Sequence, residues 1–282
     1  MTLHLKPLRT AAVLGAGLLT LTLTATTSSA TPTDGERHPS GPKPTIVLVH
    51  GAWADGSSWS GVTQKLHKKG YTVDVEANPL RGVASDSDYL RDYLASIKGP
   101  IVLAAHSYGG MVITQAASGN PNVKALVYVD AYIPETGDAI GPLSGPDSAL
   151  AAPPTTVFDF VEHFDENGDD DHNPDLYIKQ ALFPGIFAQR GVSARRAATL
   201  ASGQRPLLLA ALSEPSTGVP AWKTIPAWDV LGTADRVIPP AQQEFMAQRA
   251  HARITKVRAP HLSMVSNPGV VTDVIVSAAT HS

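Results

Sequence analysis

Residues 101–110 read Ile-Val-Leu-Ala-Ala-His-Ser-Tyr-Gly-Gly, which predicts a strand followed by a sharp turn. The apolar run stops at Ala105, and the residues after Gly110 suit a helix. A serine on such a turn stands clear of the sheet, and the turn requires small neighbours because backbone and side chains crowd there. Ser107 is therefore a candidate nucleophile, with Ala105 where the motif GxSxG has its first glycine.

Strand and helix patterns alternate on both sides of this stretch. Apolar runs predict further strands at 45–49, 71–75, 123–129, 227–231 and 253–257. Apolar residues at helical spacing, with their stop signals, predict helices at 59–69, 85–97, 240–249 and 270–279. The alternation predicts a parallel sheet with helices on both faces. At about 132–219 the alternation of strand and helix patterns stops. This segment is interpreted as an inserted cap, mostly helical, with one helical piece at 195–212.

Composition bounds the class of protein. The chain has 282 residues, of which 43% are hydrophobic and 17% charged, as expected for one sizeable globular domain at 43–282. A net charge of -3 offers no basic field for nucleic acid, so no nucleic-acid partner is expected. The absence of cysteine excludes disulfides and a thiol nucleophile. The sequence does not indicate an oligomeric state.

The first thirty residues follow the pattern of a secretory signal peptide. Lys6 and Arg9 form a short positive region, residues 11–23 are nearly free of polar groups, and residues 24–30 are small and polar. The small residues before Ala30 suit a cleavage after it, and the apolar part is too short to span a bilayer comfortably. We therefore expect a secreted protein without a stable membrane anchor, with a flexible leader at 31–42.

A serine nucleophile needs a base, and the base needs an acidic partner that fixes its tautomer. His261 follows the last predicted strand, and Asp235 follows the strand before it. The chain order Ser107, Asp235, His261 is the order that the α/β-hydrolase fold requires, and all three follow strands at their carboxyl ends. Asp130, after the strand at 123–129, is an alternative acid that the sequence leaves open.

The oxyanion formed on serine attack needs two N–H donors fixed in advance. The backbone N–H of Tyr108 is one candidate, and the loop after the first strand supplies Ala52 as the other, with Trp53 as an alternative. His50 and His106 flank this region, and we expect them to hold its loops through hydrogen bonds.

Four segments together resemble the α/β-hydrolase superfamily, and within it the branch of small bacterial esterases, plant methylesterases and hydroxynitrile lyases. They are His50-Gly51-Ala52-Trp53, Ala105-His106-Ser107-Tyr108-Gly109-Gly110, the run from Gly232 to Pro239, and Pro260-His261. The resemblance covers residues 43–279 and implies a core sheet of about six parallel strands.

The resemblance also implies the chemistry. The cyanide-releasing lyases of this branch carry a lysine after the catalytic histidine, whereas Leu262 stands here. Leu262, Met264 and Trp53 suit an apolar pocket for a small or medium ester. A carboxylesterase that works through an acyl-serine, without metal or organic cofactor, is therefore expected. Lyase-type carbonyl chemistry and a non-catalytic binding protein of the same fold are the alternatives.

The acidic run at 165–171 has the composition of a calcium-binding loop but not its spacing. An EF-hand that starts at Asp165 would need glycine at its sixth position and glutamate at its twelfth, where Asp170 and Leu176 stand. The pattern fails at both positions, and we expect a solvated loop without a metal.

Overall fold

The structure is a computed structural model that describes residues 42–164, 172–189 and 191–282. The predicted signal peptide, all but the last residue of the predicted leader, and the acidic run at 165–171 lie outside the described residues. Within the described ranges, no helix is both long enough and apolar enough to cross a membrane.

Four strands alternate with three helices in the first half of the domain. They are β1 (Thr45–Val49), α1 (Ser60–Lys68), β2 (Val73–Glu76), α2 (Val83–Ser96), β3 (Ile101–His106), α3 (Gly109–Ala116) and β4 (Val123–Val129). Strand β2 begins two residues later than predicted, because Tyr71 still belongs to the turn that ends α1: its N–H donates to the carbonyl of Leu66 at 3.2 Å.

The cap follows β4, and its helices are short. Its elements are α4 (Ile140–Ser144), α5 (Pro154–Val157), β5 (Phe158–Val161), β6 (Asp175–Ile178), α6 (Phe183–Phe187), α7 (Ala194–Ser202) and β7 (Leu207–Leu208). The three strands form an antiparallel sheet in the order β5-β6-β7, which the sequence analysis did not predict. The predicted helical piece at 195–212 is correspondingly divided: α7 ends at Ser202, and β7 and a 3₁₀ turn (Leu209–Leu212) follow.

The domain closes with alternating elements as predicted. These are β8 (Ala227–Gly232), α8 (Pro240–Arg249), β9 (Arg253–Val257), α9 (Ser263–Ser266) and α10 (Pro268–His281).

The main sheet has six strands in the order β2-β1-β3-β4-β8-β9, and every neighbouring pair is parallel. This confirms the predicted six-stranded parallel sheet flanked by helices. All residues of β3 are buried, as its uninterrupted apolar run predicts for a central strand covered on both faces. Because parallel strands end at one edge of the sheet, β3, β4, β8 and β9 deliver Ser107, Asp130, Asp235 and His261 to the same side of the molecule.

Candidate active site

Ser107 lies on the turn between β3 and α3, with its backbone in the left-handed region at a φ of 52°. Such a conformation is uncommon for a residue other than glycine and costs about 1–3 kcal/mol. Here the carbonyl of Ser107 accepts hydrogen bonds from Gly110 at 2.9 Å and from Tyr132 at 3.3 Å, which hold the turn. The strained turn presents the serine hydroxyl beyond the end of the strand.

Glycines make the room that this turn needs. A Cβ atom at Gly110 would collide with the carbonyl oxygen of Tyr132, and one at Gly51 would lie 2.7 Å from the Cβ of Ser107. A Cβ at Gly109 would lie 3.3 Å from the Cβ of Ala105. The methyl group of Ala105 therefore fits because the residue opposite is a glycine, which explains why alanine is tolerated at the first position of the motif.

The structure brings Ser107, His261 and Asp235 into one hydrogen-bonded chain. The Nε2 atom of His261 lies 2.8 Å from the hydroxyl of Ser107, and its Nδ1 atom lies 2.7 Å from Oδ2 of Asp235. All three residues are buried, with the imidazole fully inaccessible to solvent. The carboxylate accepts from Nδ1, so Nε2 is left to accept the proton of the serine.

Asp235 is held by three donors besides His261. The backbone N–H groups of Val237 and Ile238 donate to its Oδ1 at 2.7 and 3.0 Å, and Nε2 of Gln243 donates to its Oδ2 at 2.7 Å. Burial raises the pKa of the Asp235 carboxyl, and these donors act in the opposite direction. Burial also lowers the pKa of His261 to about 3, which favours the neutral imidazole that a base requires.

Gln243 was not singled out from the sequence. Its amide also donates to the carbonyl of Ile238 at 2.8 Å, so it fixes the loop that carries Asp235 as well as the carboxylate itself. The only available signal was its place on α8, eight residues after Asp235, which no local pattern distinguishes from the neighbouring glutamine.

His106 and His50 hold the loops around the site, as expected. Nε2 of His106 donates to the backbone carbonyl of His261 at 2.7 Å, and the two rings are 4.7 Å apart. Nδ1 of His50 donates to the carbonyl of Gly51 at 2.9 Å, and its Nε2 accepts from the N–H of Asn78 at 3.2 Å. The hydroxyl of Ser107 has His261 as its hydrogen-bond partner, and the bonds of His50 and His106 go to the backbone of the surrounding loops.

The two predicted oxyanion donors lie on loops that meet at Ser107. In the part of the chain that the structure describes, the N–H groups of Ala52 and Tyr108 donate no hydrogen bond to the protein, whereas that of Trp53 donates to the carbonyl of Arg205 at 3.0 Å. The N–H of Trp53 is thus engaged elsewhere, whereas the roles predicted for the N–H groups of Ala52 and Tyr108 stay predictions.

Aromatic rings from the cap cover the site. The ring of Phe187 meets His261 edge-on at 5.2 Å, and Trp53 stacks on Phe158 at 5.4 Å. Trp53 and Leu262 line a cavity of about 30 Å³ with Phe183, while Met264 is fully buried in α9. A second cavity of about 100 Å³ lies in the cap and includes Phe158 in its wall.

Comparisons with known proteins show the family of this chain. The family model described as the alpha/beta hydrolase family matches residues 46–274. A carbendazim-hydrolysing esterase from Nocardioides sp. (strain SG-4G) is 33% identical over 181 residues, covering 58% of this chain and 73% of the esterase.

Two solved structures share the fold at low sequence identity. Polyneuridine aldehyde esterase superimposes with a TM-score of 0.69 at 18% identity, covering 84% of this chain and 99% of the esterase. The methylesterase MES16 from Arabidopsis gives a TM-score of 0.66 at 15% identity, covering 85% of this chain and all of the methylesterase (100%). From the family match, the fold and the ordered site together, we conclude that this chain belongs to the alpha/beta hydrolase family.

Proposed function

We propose that this protein is a secreted serine carboxylesterase that cleaves small or medium esters through an acyl-enzyme. The observation that carries the proposal is the buried chain of hydrogen bonds from Ser107 through His261 to Asp235, at 2.8 and 2.7 Å. Relatives named esterase and hydrolase support the same class of reaction.

Acylation would begin when the oxygen of Ser107 attacks the carbonyl carbon of the ester while Nε2 of His261 takes the hydroxyl proton. The carbonyl oxygen becomes an oxyanion, which the N–H groups of Ala52 and Tyr108 would hold. The tetrahedral intermediate then expels the alcohol, which takes the proton from His261.

Deacylation repeats these steps with water. His261 takes a proton from the water, the hydroxide attacks the acyl carbon, and Ser107 leaves with the proton returned by His261. Asp235 stabilises the imidazolium in both halves of the reaction and keeps the ring in place.

The apolar side chains of Phe187 and Leu262 next to the base support an uncharged substrate. The side chain after His261 is the buried, apolar Leu262, which places no cation next to the base. This argues for ester hydrolysis rather than release of an anion such as cyanide.

Covalent labelling tests the proposed nucleophile. A fluorophosphonate should attach to Ser107, as located by peptide mass mapping, and the Ser107→Ala variant should take up no label. The same substitution should lower the turnover of p-nitrophenyl acetate by about 10⁴ to 10⁶ while the circular dichroism spectrum is unchanged. Unchanged esterase activity in the variant would reject the serine mechanism, and cyanohydrin cleavage without ester cleavage would favour the lyase.

Secretion is tested separately. The full chain expressed in a Gram-positive secretion host should release a mature protein that begins at Thr31, as read by N-terminal sequencing. Retention of the unprocessed chain in the cell fraction would contradict this part of the proposal.

A further inference from the structure

The side chain of Tyr108 forms a buried hydrogen bond beside the oxyanion hole. The backbone N–H of Tyr108 follows Ser107 directly, and the residue is only 1% exposed to solvent. Its hydroxyl donates to Oδ2 of Asp86 at 2.7 Å, and Asp86 is fully buried. One residue therefore carries both an oxyanion donor and a side chain whose hydroxyl is fixed by a carboxyl group.

Asp86 is itself held firmly in the first turn of α2. Its other oxygen, Oδ1, accepts from the N–H of Arg81 at 3.0 Å, and its own N–H donates to the carbonyl of Gly82 at 2.9 Å. The carboxylate of Glu214 accepts from the first N–H groups of the same helix, at Val83 and Ala84. The Asp86 carboxylate that accepts from the Tyr108 hydroxyl is thus held in place by its own hydrogen bonds.

The loop before α2 is tied to the cap. The guanidinium of Arg81 lies 2.6 Å from Oδ1 of Asp175 on β6, and the carbonyl of Leu80 accepts from the N–H of Leu208 on β7 at 3.1 Å. The indole of Trp53 donates to the carbonyl of Leu176 at 2.8 Å. The small cap sheet therefore holds the loop of Ala52 and, through Asp86, the side chain of Tyr108.

We propose that Asp86 is a positioning residue for the oxyanion hole, acting through the hydroxyl of Tyr108. An oxyanion donor stabilises the transition state only when it is fixed where the charge develops, and a shift of about 0.5 Å already weakens it. The bond from Tyr108 to Asp86 prevents the Tyr108 ring, and with it the peptide between Ser107 and Tyr108, from drifting. The inference rests on the proposed function.

The Tyr108→Phe variant tests this role, with Tyr128→Phe as a matched control. Tyr128 is equally buried, and its hydroxyl shares a hydrogen bond with Thr114 at 2.8 Å. Tyr108→Phe should lower kcat for p-nitrophenyl acetate about tenfold with KM changed less than about twofold, since only transition-state contacts weaken. Affinity for a trifluoromethyl ketone, which forms a tetrahedral oxyanion on serine, should fall by a similar factor. Tyr128→Phe should change Tm about as much as Tyr108→Phe does. It should leave kcat and the affinity for the trifluoromethyl ketone unchanged.

The Asp86 variants complete the test. Asp86→Ala should reproduce the kcat loss of Tyr108→Phe, and the double variant should lose no more than either single one, because both remove the same bond. Asp86→Asn keeps one acceptor oxygen and should restore part of kcat. Additive losses, or a kcat within about twofold of wild type in Tyr108→Phe, would overturn the inference.

Failure of the proposed function gives a different result. A wild-type chain that neither hydrolyses esters nor takes up fluorophosphonate would reject that function, and crystal structures of the variants would then decide the inference. The peptide between Ser107 and Tyr108 should move by about 0.5 Å or more in Tyr108→Phe and stay in place in Tyr128→Phe. An unmoved peptide in both variants would overturn the positioning role.

Discussion

The carboxylate of Asp130 accepts two hydrogen bonds from Ser263, one from its N–H at 2.7 Å and one from its hydroxyl at 2.8 Å. Asp130 and Asp235 both follow strands that end beside the site, yet of these two carboxylates it is that of Asp235 that bonds to the imidazole of His261. Burial, and then the nearby charge of Asp235, raise the pKa of Asp130. Asp130 thus fixes the loop just after the base.

We expect the two acids to differ sharply when each is changed to asparagine. Asp235→Asn should lower kcat by about 10⁴, because the amide favours the wrong imidazole tautomer. Asp130→Asn should lower it by about tenfold or less, which corresponds to one weakened hydrogen bond of about 1 kcal/mol. Steady-state kinetics on p-nitrophenyl acetate measures both, and equal losses would show that Asp130 shares the role of the acid.

Removal of the amide of Gln243 should weaken the hold on Asp235. The Gln243→Leu variant should lower kcat/KM by about tenfold, since it loses a charge-assisted hydrogen bond of about 1.5–3 kcal/mol and keeps the buried volume. Gln248→Leu, on the exposed face of the same helix, is the control and should retain full activity. A wild-type rate in Gln243→Leu would mean that the backbone donors suffice.

The pH dependence of kcat/KM should reflect the burial of His261. Because burial lowers the pKa of this imidazole to about 3, the neutral base persists below the ordinary value of about 6.5. Activity should therefore hold as the pH falls from 7 to 6 and should decline only at lower pH. Initial rates with a p-nitrophenyl ester, corrected by the Ser107→Ala blank, give the profile. An acidic limb centred at or above the ordinary value of about 6.5 would disprove the expectation.

A second pH effect concerns stability, through Asp229 in β8. This carboxyl is fully buried without a hydrogen-bond partner among the described residues, and burial raises its pKa well above the ordinary value. The folded chain therefore binds a proton that the unfolded chain releases near pH 4, so this residue makes the fold less stable as pH rises from there to its folded pKa. The stability that the protonated Asp229 carboxyl contributes is full below the unfolded pKa, and it is lost progressively as the pH rises to the folded pKa.

The Asp229→Asn variant should remove this dependence. Its free energy of unfolding relative to wild type should increase as the pH is raised from 5 to 8, as urea denaturation would show. Asp147→Asn, at an exposed position, is the control and should show no such trend. A difference that is constant across this range would show that the Asp229 carboxyl is ionised in the folded chain from pH 5 upward, as it is in the unfolded chain.

The sequence by itself determined the main sheet, the elbow and the order of Ser107, Asp235 and His261. Each of these depends on local features: the apolar run of β3, the glycines that allow the turn, and strands that end at one edge. Local patterns are sufficient because strand and helix periodicities and steric room at a turn act between residues close in sequence.

Only the tertiary structure decided which carboxylate meets His261, since β4 and β8 are neighbours and their loops end in the same place. It also revealed the cap sheet, whose strands are far apart in the chain. Helix α2 starts at Val83 rather than at the predicted residue 85, because the distant Glu214 accepts its first N–H groups. The hydrogen bond from Tyr108 to Asp86 likewise joins residues that are distant in sequence. These contacts join residues that no periodicity relates, so they exist only once the chain has folded.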